Sequence, residues 1–421
     1  MSVLGRAYTP RLLDSLVTQA LEASGGVLIE GPRACGKTMT AMNAAASFAM
    51  LDDPGTQELA AIAPGAVLDG TSPRLLDEWQ LAPQLWNLVR RRIDAGAGAG
   101  LFLLTGSAVP ADDVTRHTGA GRILRVRQRT LTWTEKRGST GVGVSISGLF
   151  DGLTPETDMS SMSYADVLTE LVRPGFPALV ERAPGQAARS LRAYIDEISR
   201  ADVPRLVDMR HDPTVIVQLI AALARSVASD VAFTTLADDV RQVAPVIDVQ
   251  TVASYVSVLE RLFVVERQKP WTPALRSRAR LRSAAKIHLA DPALAAAALG
   301  VDARGLTTEP STAGLLFESA VIHDLAVFAD LLEAEVRYYR DSNGHEIDVV
   351  ITLPDRRWGA VEVKLGGGQI AEGAKSLNRA VAQIDTAVVG EPVFRAVITG
   401  TGPTAVLSDG TVTCPLAALR P

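Results

Sequence analysis

The stretch IEGPRACGKTMT, residues 29–40, lies between an apolar segment and a segment rich in helix-forming residues. Gly31, Gly36, Lys37 and Thr38 fit the spacing G-x-x-x-x-G-K-[ST]. In such loops the glycines let backbone N–H groups surround phosphates, the lysine reaches the β- and γ-phosphates, and the hydroxyl coordinates Mg²⁺. The preceding GGVLIE predicts a buried strand, which is the context that this loop requires. The residues predicted to bind ATP are Gly31, Pro32, Arg33, Ala34, Cys35, Gly36, Lys37, Thr38 and Met39, with Thr38 also a ligand of Mg²⁺.

Strands and helices are expected to alternate around this loop. The short apolar segments FAML, RLLD and LFLLTG punctuate stretches with helical spacing, such as APQLWNLVRRRIDAGAG. Because this alternation is typical of a parallel sheet covered by helices, residues 1–150 are predicted to form an α/β domain.

Acidic and hydroxyl side chains end two of the predicted strands. Asp77 and Glu78 lie in LLDEWQ, and Thr105 and Ser107 lie in FLLTGS. We expect Asp77 to hold Mg²⁺ through water and Glu78 to polarise the water that attacks the γ-phosphate. Thr105 would sense the γ-phosphate and orient that water. An acidic helix cap and an ordinary strand-end turn are the structural alternatives.

A run of arginines without any acidic residue follows, between residues 114 and 134. An arginine at the γ-phosphate stabilises charge in the transition state. Arg122 is predicted to be this catalytic arginine, supplied to the site of a neighbouring subunit in a homo-oligomer. A solvated basic face is the alternative for any one member of the run, which consists of Arg116, Arg122, Arg125, Arg127 and Arg129.

Helical spacing dominates the middle of the chain, and residues 160–300 are predicted to form a helical domain of winged-helix type. The segment 145–163 is the best candidate for a linker or loop before it. A basic stretch with Trp271 and no acid follows the presumed wing and could contact DNA phosphates. A solubilising loop or a docking strip is the alternative for its basic residues, which are Arg267, Lys269, Arg276, Arg278, Arg280, Arg282 and Lys286.

The composition limits the class of protein. The 421 residues carry a net charge of −5, which disfavours a surface that grips nucleic acid everywhere but allows a local basic patch. The two cysteines and scattered histidines predict neither a disulfide framework nor a zinc site and fit a reducing cytoplasm. Because no apolar run reaches ~18 residues, no membrane span is expected.

A family resemblance emerges from six segments taken in order. GPRACGKT, LLDEWQLAP, FLLTGSA, GAGR, YYRDSNGHEIDVVI and AVEVK together resemble bacterial and archaeal AAA-type ATPases with a C-terminal domain of unknown function 4143. The resemblance implies an AAA-type P-loop ATPase domain, a winged-helix-like middle domain, and a restriction-endonuclease-like domain over residues 301–421. The family commonly has IDEIQ where this chain has LLDEWQ, but both acids are kept.

The C-terminal part has carboxylates in the order that a metal-dependent nuclease needs. Glu318 lies on a predicted helix, Asp348 lies in HEIDVVI, and Glu362 and Lys364 share one face of the strand AVEVK. Glu318, Asp348 and Glu362 are predicted metal ligands, and Lys364 a nuclease lysine beside the scissile phosphate. Charged residues that pair across a half-exposed sheet are the structural alternative.

Two functions remain open. In the first, the chain is an ATPase whose nucleotide cycle controls a nuclease-like domain that binds or cleaves DNA. In the second, it is a slow ATP-driven switch or assembly protein whose C-terminal domain is an inactive recognition module. A small-molecule P-loop kinase is a third interpretation, but the chain shows no acceptor site and the C-terminal domains would be unexplained.

Overall fold

The structure is a computed structural model that describes residues 2–3, 6–96, 98–107, 119–138, 143–159, 162–206, 212–273 and 284–421. Some of the predicted arginines lie outside the described residues, namely Arg116, Arg276, Arg278, Arg280 and Arg282.

The N-terminal part contains five parallel strands in one sheet. Its elements in chain order are β1 (Ser2–Val3), β2 (Arg6–Ala7), α1 (Leu13–Ala23), β3 (Gly26–Glu30), α2 (Lys37–Ala44), β4 (Ser47–Met50), α3 (Pro54–Ile62), α4 (Pro64–Val67), β5 (Arg74–Asp77), α5 (Leu85–Asp94), β6 (Phe102–Gly106), β7 (Ile123–Arg127) and α6 (Trp133–Arg137). The sheet order is β4-β5-β6-β3-β7. All four strand pairings are parallel, so the carboxyl ends of the strands meet at one edge.

Both faces of this sheet are covered, as its apolar strands predict. Val27 and Ile29 belong to one buried cluster and Leu28 to another, because successive residues of a strand face opposite sides of the sheet. Burial on both faces explains why these strands are continuous apolar runs instead of alternating ones. The prediction of a parallel α/β sheet in this part of the chain is confirmed.

The middle part is mainly helical. It contains β8 (Val144–Ser145), α7 (Ile146–Phe150), β9 (Asp158–Met159), α8 (Tyr164–Val172), α9 (Pro184–Glu197), α10 (Pro213–Arg225), α11 (Phe233–Val240), α12 (Val249–Arg261), β10 (Val265–Gln268), β11 (Lys286–Leu289) and α13 (Pro292–Leu299). Strands β10 and β11 form an antiparallel hairpin. Val227 and Ser229, which follow α10, make isolated bridges to Ile287 on that hairpin.

The C-terminal part contributes six strands to a mixed sheet. Its elements are α14 (Ala303–Thr308), α15 (Pro310–Leu331), β12 (Glu335–Arg340), β13 (Glu346–Thr352), β14 (Trp358–Lys364), α16 (Ile370–Val381), α17 (Thr386–Val389), β15 (Phe394–Thr399), β16 (Pro403–Val406), β17 (Val412–Pro415) and β18 (Leu419–Arg420). The sheet order is β12-β13-β14-β15-β17-β16-β9, and only β14–β15 and β15–β17 pair in parallel.

The segment 145–163 was expected to be a linker or loop, and its described residues form a loop only over 151–157 and 162–163. Within its described residues, β9 extends the C-terminal sheet, and β8, which begins one residue earlier at Val144, pairs with β18. Phe150 packs edge-on against Phe394 with ring centroids 5.0 Å apart, and its carbonyl accepts a hydrogen bond from Arg357. Polar, glycine-rich composition favoured a linker, but the apolar residues of α7 bury themselves against the distant C-terminal strands.

One hydrophobic core joins the middle and C-terminal parts. A single buried cluster contains Leu171 of α8, Leu219 of α10, Phe317 of α15 and Ile398 of β15. The cluster also includes Trp133 of α6, which follows the last strand of the N-terminal sheet. The helices on either side of residue 300 therefore pack into the same apolar interior.

Helix α15 runs through this core. Among the described residues it is the one helix long and apolar enough to cross a membrane, but 72% of its most apolar window is buried inside the protein. Its length and composition are therefore explained by the core that it fills.

A buried ion-pair network joins the three parts just beyond β7. The Arg129 side chain is 9% exposed, and its Nη2 lies 2.6 Å from Glu266 Oε1 on β10 while its Nη1 lies 2.5 Å from Asp330 Oδ2 on α15. Burial alone would lower the pKa of Arg129, but the charges of the two carboxylates outweigh burial and raise it. The Trp133 N–H donates to Asp324 on α15 over 2.9 Å, a second link from the N-terminal part to this helix.

We expect Arg129→Ala to lower the free energy of unfolding by ~3 kcal/mol, because it removes a buried cation from two half-buried carboxylates and leaves Glu266 only its longer pair with Arg127. Denaturant titration followed by circular dichroism measures this. The control is Arg92→Ala, which breaks an exposed pair with Asp69 and should cost ~1 kcal/mol or less. Equal losses in the two variants would contradict a structural role for the network.

Candidate functional site

The phosphate loop lies at the carboxyl edge of the N-terminal sheet, between β3 and α2. Gly31 passes so close to β7 that a Cβ on it would lie 2.0 Å from the Gln128 carbonyl oxygen. Gly36 has φ +102°, a left-handed conformation that glycine adopts without strain, and it starts α2. The loop therefore needs glycine at both positions, for two different physical reasons.

Two side chains from other segments hold the loop in this shape. The Cys35 carbonyl accepts hydrogen bonds from Arg11 Nη1 at 3.0 Å and from Gln128 Nε2 at 3.1 Å. Arg11 is itself buried and paired with Glu135 at 2.8 Å. Neither Arg11 nor Gln128 was predicted, since nothing in the local sequence around them indicates contact with a loop distant along the chain.

Lys37 is buried within the loop. Its side chain folds back so that Nζ donates to the Pro32 carbonyl over 2.8 Å. The ammonium therefore lies beside the backbone that surrounds the predicted phosphates. The Pro32 carbonyl is the acceptor that the structure gives this ammonium.

The middle part also reaches the loop. Arg33 Nη1 lies 2.7 Å from Asp202 Oδ1, and the Tyr194 hydroxyl donates to the Arg33 carbonyl over 3.3 Å. Tyr194 belongs to α9 and Asp202 follows this helix, so both residues lie far from the phosphate loop in sequence. The phosphate loop of the N-terminal part is thus in contact with the middle part of the chain.

Asp77 lies next to Thr38, as a magnesium site requires. The Thr38 hydroxyl donates to Asp77 Oδ1 over 2.9 Å, and Thr105 Oγ1 donates to the same oxygen over 2.5 Å. Burial raises the pKa of Asp77, and the two hydroxyl hydrogen bonds partly oppose this effect. A hydroxyl and a carboxylate are oxygen ligands of the kind that Mg²⁺ prefers, so Thr38 and Asp77 fit the predicted ion.

Glu78 is held in a fixed position beside this pair. Its backbone is left-handed, with φ 54°, and its N–H donates to Thr105 Oγ1 over 3.0 Å. Its carboxylate accepts hydrogen bonds from Gln80 Nε2 and, over 3.1 Å, from Ser107 Oγ. Gln80 follows Glu78 in the segment LLDEWQ, so its proximity could have been predicted from the motif.

Thr105 lies near the end of β6, between the two acids of the site, and its role as a γ-phosphate sensor stays a prediction. Its hydroxyl donates to Asp77 and accepts from the Glu78 N–H, so it connects the two acids. In this structure Thr105 therefore orients Asp77 and Glu78.

The structure does not bring Arg122 to the phosphate loop of its own chain. Arg122 precedes β7, whose first residue, Ile123, pairs with Gly26 at the start of β3. The loop follows the other end of β3, so Arg122 lies at the opposite edge of the sheet. There its Nε lies 2.5 Å from Asp94.

The other described arginines of this run are also paired. Arg125 pairs with Glu30 at 2.7 Å, and Arg127 with Glu266 at 3.4 Å. Together with Arg129, they belong to ion pairs within the chain.

Little of the described basic stretch is arranged for DNA. Arg267 pairs with Glu260 and lies over the Phe233 ring, while Lys269 is exposed. Trp271 is buried and packs on Trp358 with ring centroids 5.0 Å apart, so it cannot stack on a base in this arrangement. Lys286 is also buried. The remaining arginines of the stretch are those outside the described residues.

The predicted C-terminal residues meet where α15 crosses β13 and β14. Asp348 Oδ2 accepts the Val363 N–H over 2.8 Å, and Lys364 Nζ lies 2.8 Å from Glu362 Oε1. Glu318 on α15 faces the same group. Burial, and next the charge of Asp348, raises the pKa of both Glu318 and Glu362. Because the charge of Asp348 raises the pKa of both glutamates, the three carboxylates lie close enough to repel one another.

This carboxylate cluster, defined as Glu318, Glu346, Asp348 and Glu362, is not arranged around an open metal position. Among the residues that the structure describes, no group of three or more His, Cys, Asp or Glu side chains has the arrangement of a metal site. Lysines pair with its members instead: Lys364 with Glu362, and Lys286 with Glu318 and Glu346. Lys286 was expected in a DNA-contacting strip, and its place in this cluster was not predicted.

Comparisons with known proteins divide the chain in the same order as its motifs. Residues 24–136 match the family described as an AAA domain. Residues 165–305 match the domain of unknown function 8612, and residues 313–419 match the domain of unknown function 4143.

Among solved structures, the chain is similar to a Walker-type ATPase of Pyrococcus abyssi. The two are 14% identical with a TM-score of 0.42, over 69% of this chain and 96% of the other. No curated protein matches the chain. The family matches therefore support an AAA-type P-loop ATPase domain followed by two domains of unknown function, the second being domain 4143.

Proposed function

We propose that this chain is a Mg²⁺-dependent ATPase whose nucleotide cycle controls a nuclease-like C-terminal domain that binds or cleaves DNA. The observation that carries the ATPase is the convergence of Lys37, Thr38, Asp77 and Glu78 at one edge of a parallel sheet. The match to the AAA domain over residues 24–136 supports it. Measuring ATP hydrolysis with and without single- and double-stranded DNA tests the proposal as a whole.

The residues of the site would divide the work of phosphoryl transfer. Lys37 would exchange the Pro32 carbonyl for β- and γ-phosphate oxygens and stabilise their charge. Thr38 and Asp77 would hold Mg²⁺, which neutralises phosphate charge when bound. Glu78, fixed by Ser107 and Gln80, would orient the attacking water and accept its proton.

Control of the C-terminal part is proposed from the contacts of β7 and its extension. Gln128 touches the phosphate loop, and the adjacent Arg129 holds the β10–β11 hairpin and α15. A change in loop position on nucleotide binding would therefore be felt at both elements. Arg33 and Asp202 form a second route from the loop to the middle part.

The second half of the proposal is that the chain binds or cleaves DNA. The order of α10, the bridges to Ile287, α11, α12 and the β10–β11 hairpin supports a winged-helix type of fold. Asp348, Glu362 and Lys364 on adjacent strands support a nuclease-like arrangement. The alternative, an ATP-driven switch with an inactive recognition module, is favoured by the lysines that already neutralise the cluster.

The predictions of a catalytic arginine and of a cytoplasmic location also belong to this proposal. Because Arg122 lies away from the loop of its own chain, it could act catalytically only in a neighbouring subunit of a homo-oligomer. A cytoplasmic location remains a prediction from composition.

We expect Lys37→Ala to reduce ATP affinity by ~100-fold or more, because the loop loses its cation for the β- and γ-phosphates. Isothermal titration calorimetry with a slowly hydrolysed ATP analogue measures the affinity. Lys375→Ala, which removes an exposed lysine of α16, is the matched control and should bind normally. Unchanged affinity in Lys37→Ala would contradict the assignment of the phosphate loop.

Glu78→Gln should retain ATP but slow its hydrolysis by ~10²-fold or more, since it removes the proton acceptor and keeps the shape of the side chain. Asp77→Asn should instead weaken the Mg²⁺-dependent binding of ATP. Single-turnover hydrolysis and nucleotide titrations with and without Mg²⁺ separate these effects. The exposed Glu58→Gln is the control, and parental rates in both site variants would place water activation elsewhere.

For the C-terminal domain, we expect Asp348→Asn with Glu362→Gln to abolish divalent-metal binding at the cluster and any metal-dependent plasmid nicking. Mn²⁺ titration and a nicking assay on the full chain measure both. Glu391→Gln, at an exposed position before β15, is the control. A parent protein that neither binds metal at the cluster nor nicks DNA would favour the switch over the nuclease.

A further inference from the structure

Lys286 is delivered to the carboxylate cluster by the β10–β11 hairpin, an element of the middle part. On the neighbouring strand, Gln268 Nε2 donates to the Asp348 carbonyl over 2.9 Å. The Tyr338 hydroxyl donates to the Ala284 carbonyl, two residues before Lys286. These contacts fix the hairpin against β12 and β13, so the position of Lys286 is set by the fold.

The Lys286 ammonium lies where two carboxylates converge. Its side chain is 5% exposed, and Nζ lies 2.8 Å from Glu318 Oε1 and 2.7 Å from Glu346 Oε1. The Tyr338 ring covers it, with the centroid 5.4 Å from Nζ. The ammonium is thus paired with two carboxylates at a buried position.

A buried carboxylate cluster needs a cation, because unpaired charges are costly away from water. Lys286 contacts Oε1 of Glu318, one of the carboxylates predicted to bind a divalent ion. A divalent ion bound to them would lie within a few ångströms of the ammonium, and like charges at that distance repel strongly in a protein interior. The lysine and the metal therefore compete for one charge position.

We infer that Lys286 is a tethered cation that occupies the charge position of a divalent metal in the C-terminal carboxylate cluster. This inference rests on the metal site of the proposed function and adds its regulation. It also separates the two lysines of the cluster: Lys364 lies on the strand of Glu362 and pairs with it locally, whereas Lys286 reaches the cluster from another part of the chain.

The first test is Mn²⁺ titration of the nucleotide-free full chain by calorimetry. We expect Lys286→Gln to bind Mn²⁺ at the cluster at least ~10-fold more tightly than the parent, because a competing positive charge is removed. Lys286→Arg keeps the charge and should stay weak. Lys375→Gln makes the same charge change on the exposed side of α16 and should leave the affinity unchanged. Adding Asp348→Asn and Glu362→Gln to Lys286→Gln should abolish the gain.

The outcomes separate this inference from the proposed metal site. Equal Mn²⁺ affinity in parent and Lys286→Gln, lost in both on adding the carboxylate variants, would overturn the role of Lys286 and leave the metal site intact. Absence of binding in every folded variant would overturn the metal site and the inference with it. Tighter binding without plasmid nicking would support the inference and count against cleavage.

A second measurement needs no variant and covers the case in which Lys286→Gln does not fold. Lysine acylation followed by mass spectrometry reports the accessibility of each ammonium in the parent. If Mn²⁺ displaces Lys286, its labelling should rise several-fold at Mn²⁺ concentrations that saturate the cluster, while labelling of Lys375 stays constant. Unchanged labelling of Lys286 at saturation would overturn the competition.

Discussion

One buried cation, Arg129, links the three parts of the chain. A buried guanidinium is stable only with anionic partners, and here its partners come from β10 and α15. The N-terminal sheet, the hairpin and the long helix must therefore approach one another in a single geometry. Arg129 immediately follows Gln128, which donates a hydrogen bond to the phosphate loop. The ion pairs of Arg129 therefore lie next to the proposed nucleotide site.

This arrangement gives the proposed control a short physical route. From the Cys35 carbonyl, contacts run through Gln128 and Arg129 to Glu266 on the β10–β11 hairpin. The same hairpin carries Lys286 into the carboxylate cluster. The proposed ATPase site and the proposed metal site are thus joined by one small element of the fold.

The sequence allowed the features that depend on local pattern to be predicted. The parallel sheet follows from short apolar runs, and the adjacency of Thr38 to Asp77 follows from parallel strands whose carboxyl ends share an edge. What could not be predicted depends on contacts between distant segments. Nothing in the sequence around Arg11 indicates its contact with the phosphate loop. The basic residues around Lys286 suggested that it binds DNA, whereas in the structure it is buried and pairs with carboxylates of the protein. The placement of Arg122 required the strand order of the sheet.

The apolar interior shared by α8, α10, α15 and the C-terminal strands has a consequence for how such a chain can change over generations. Substitutions on the middle helices alter the volume available to residues of the C-terminal sheet, because close-packed interiors transmit changes of even one methylene. A recombination event that exchanged the region after residue 300 alone would therefore cut through a packed interior instead of a linker.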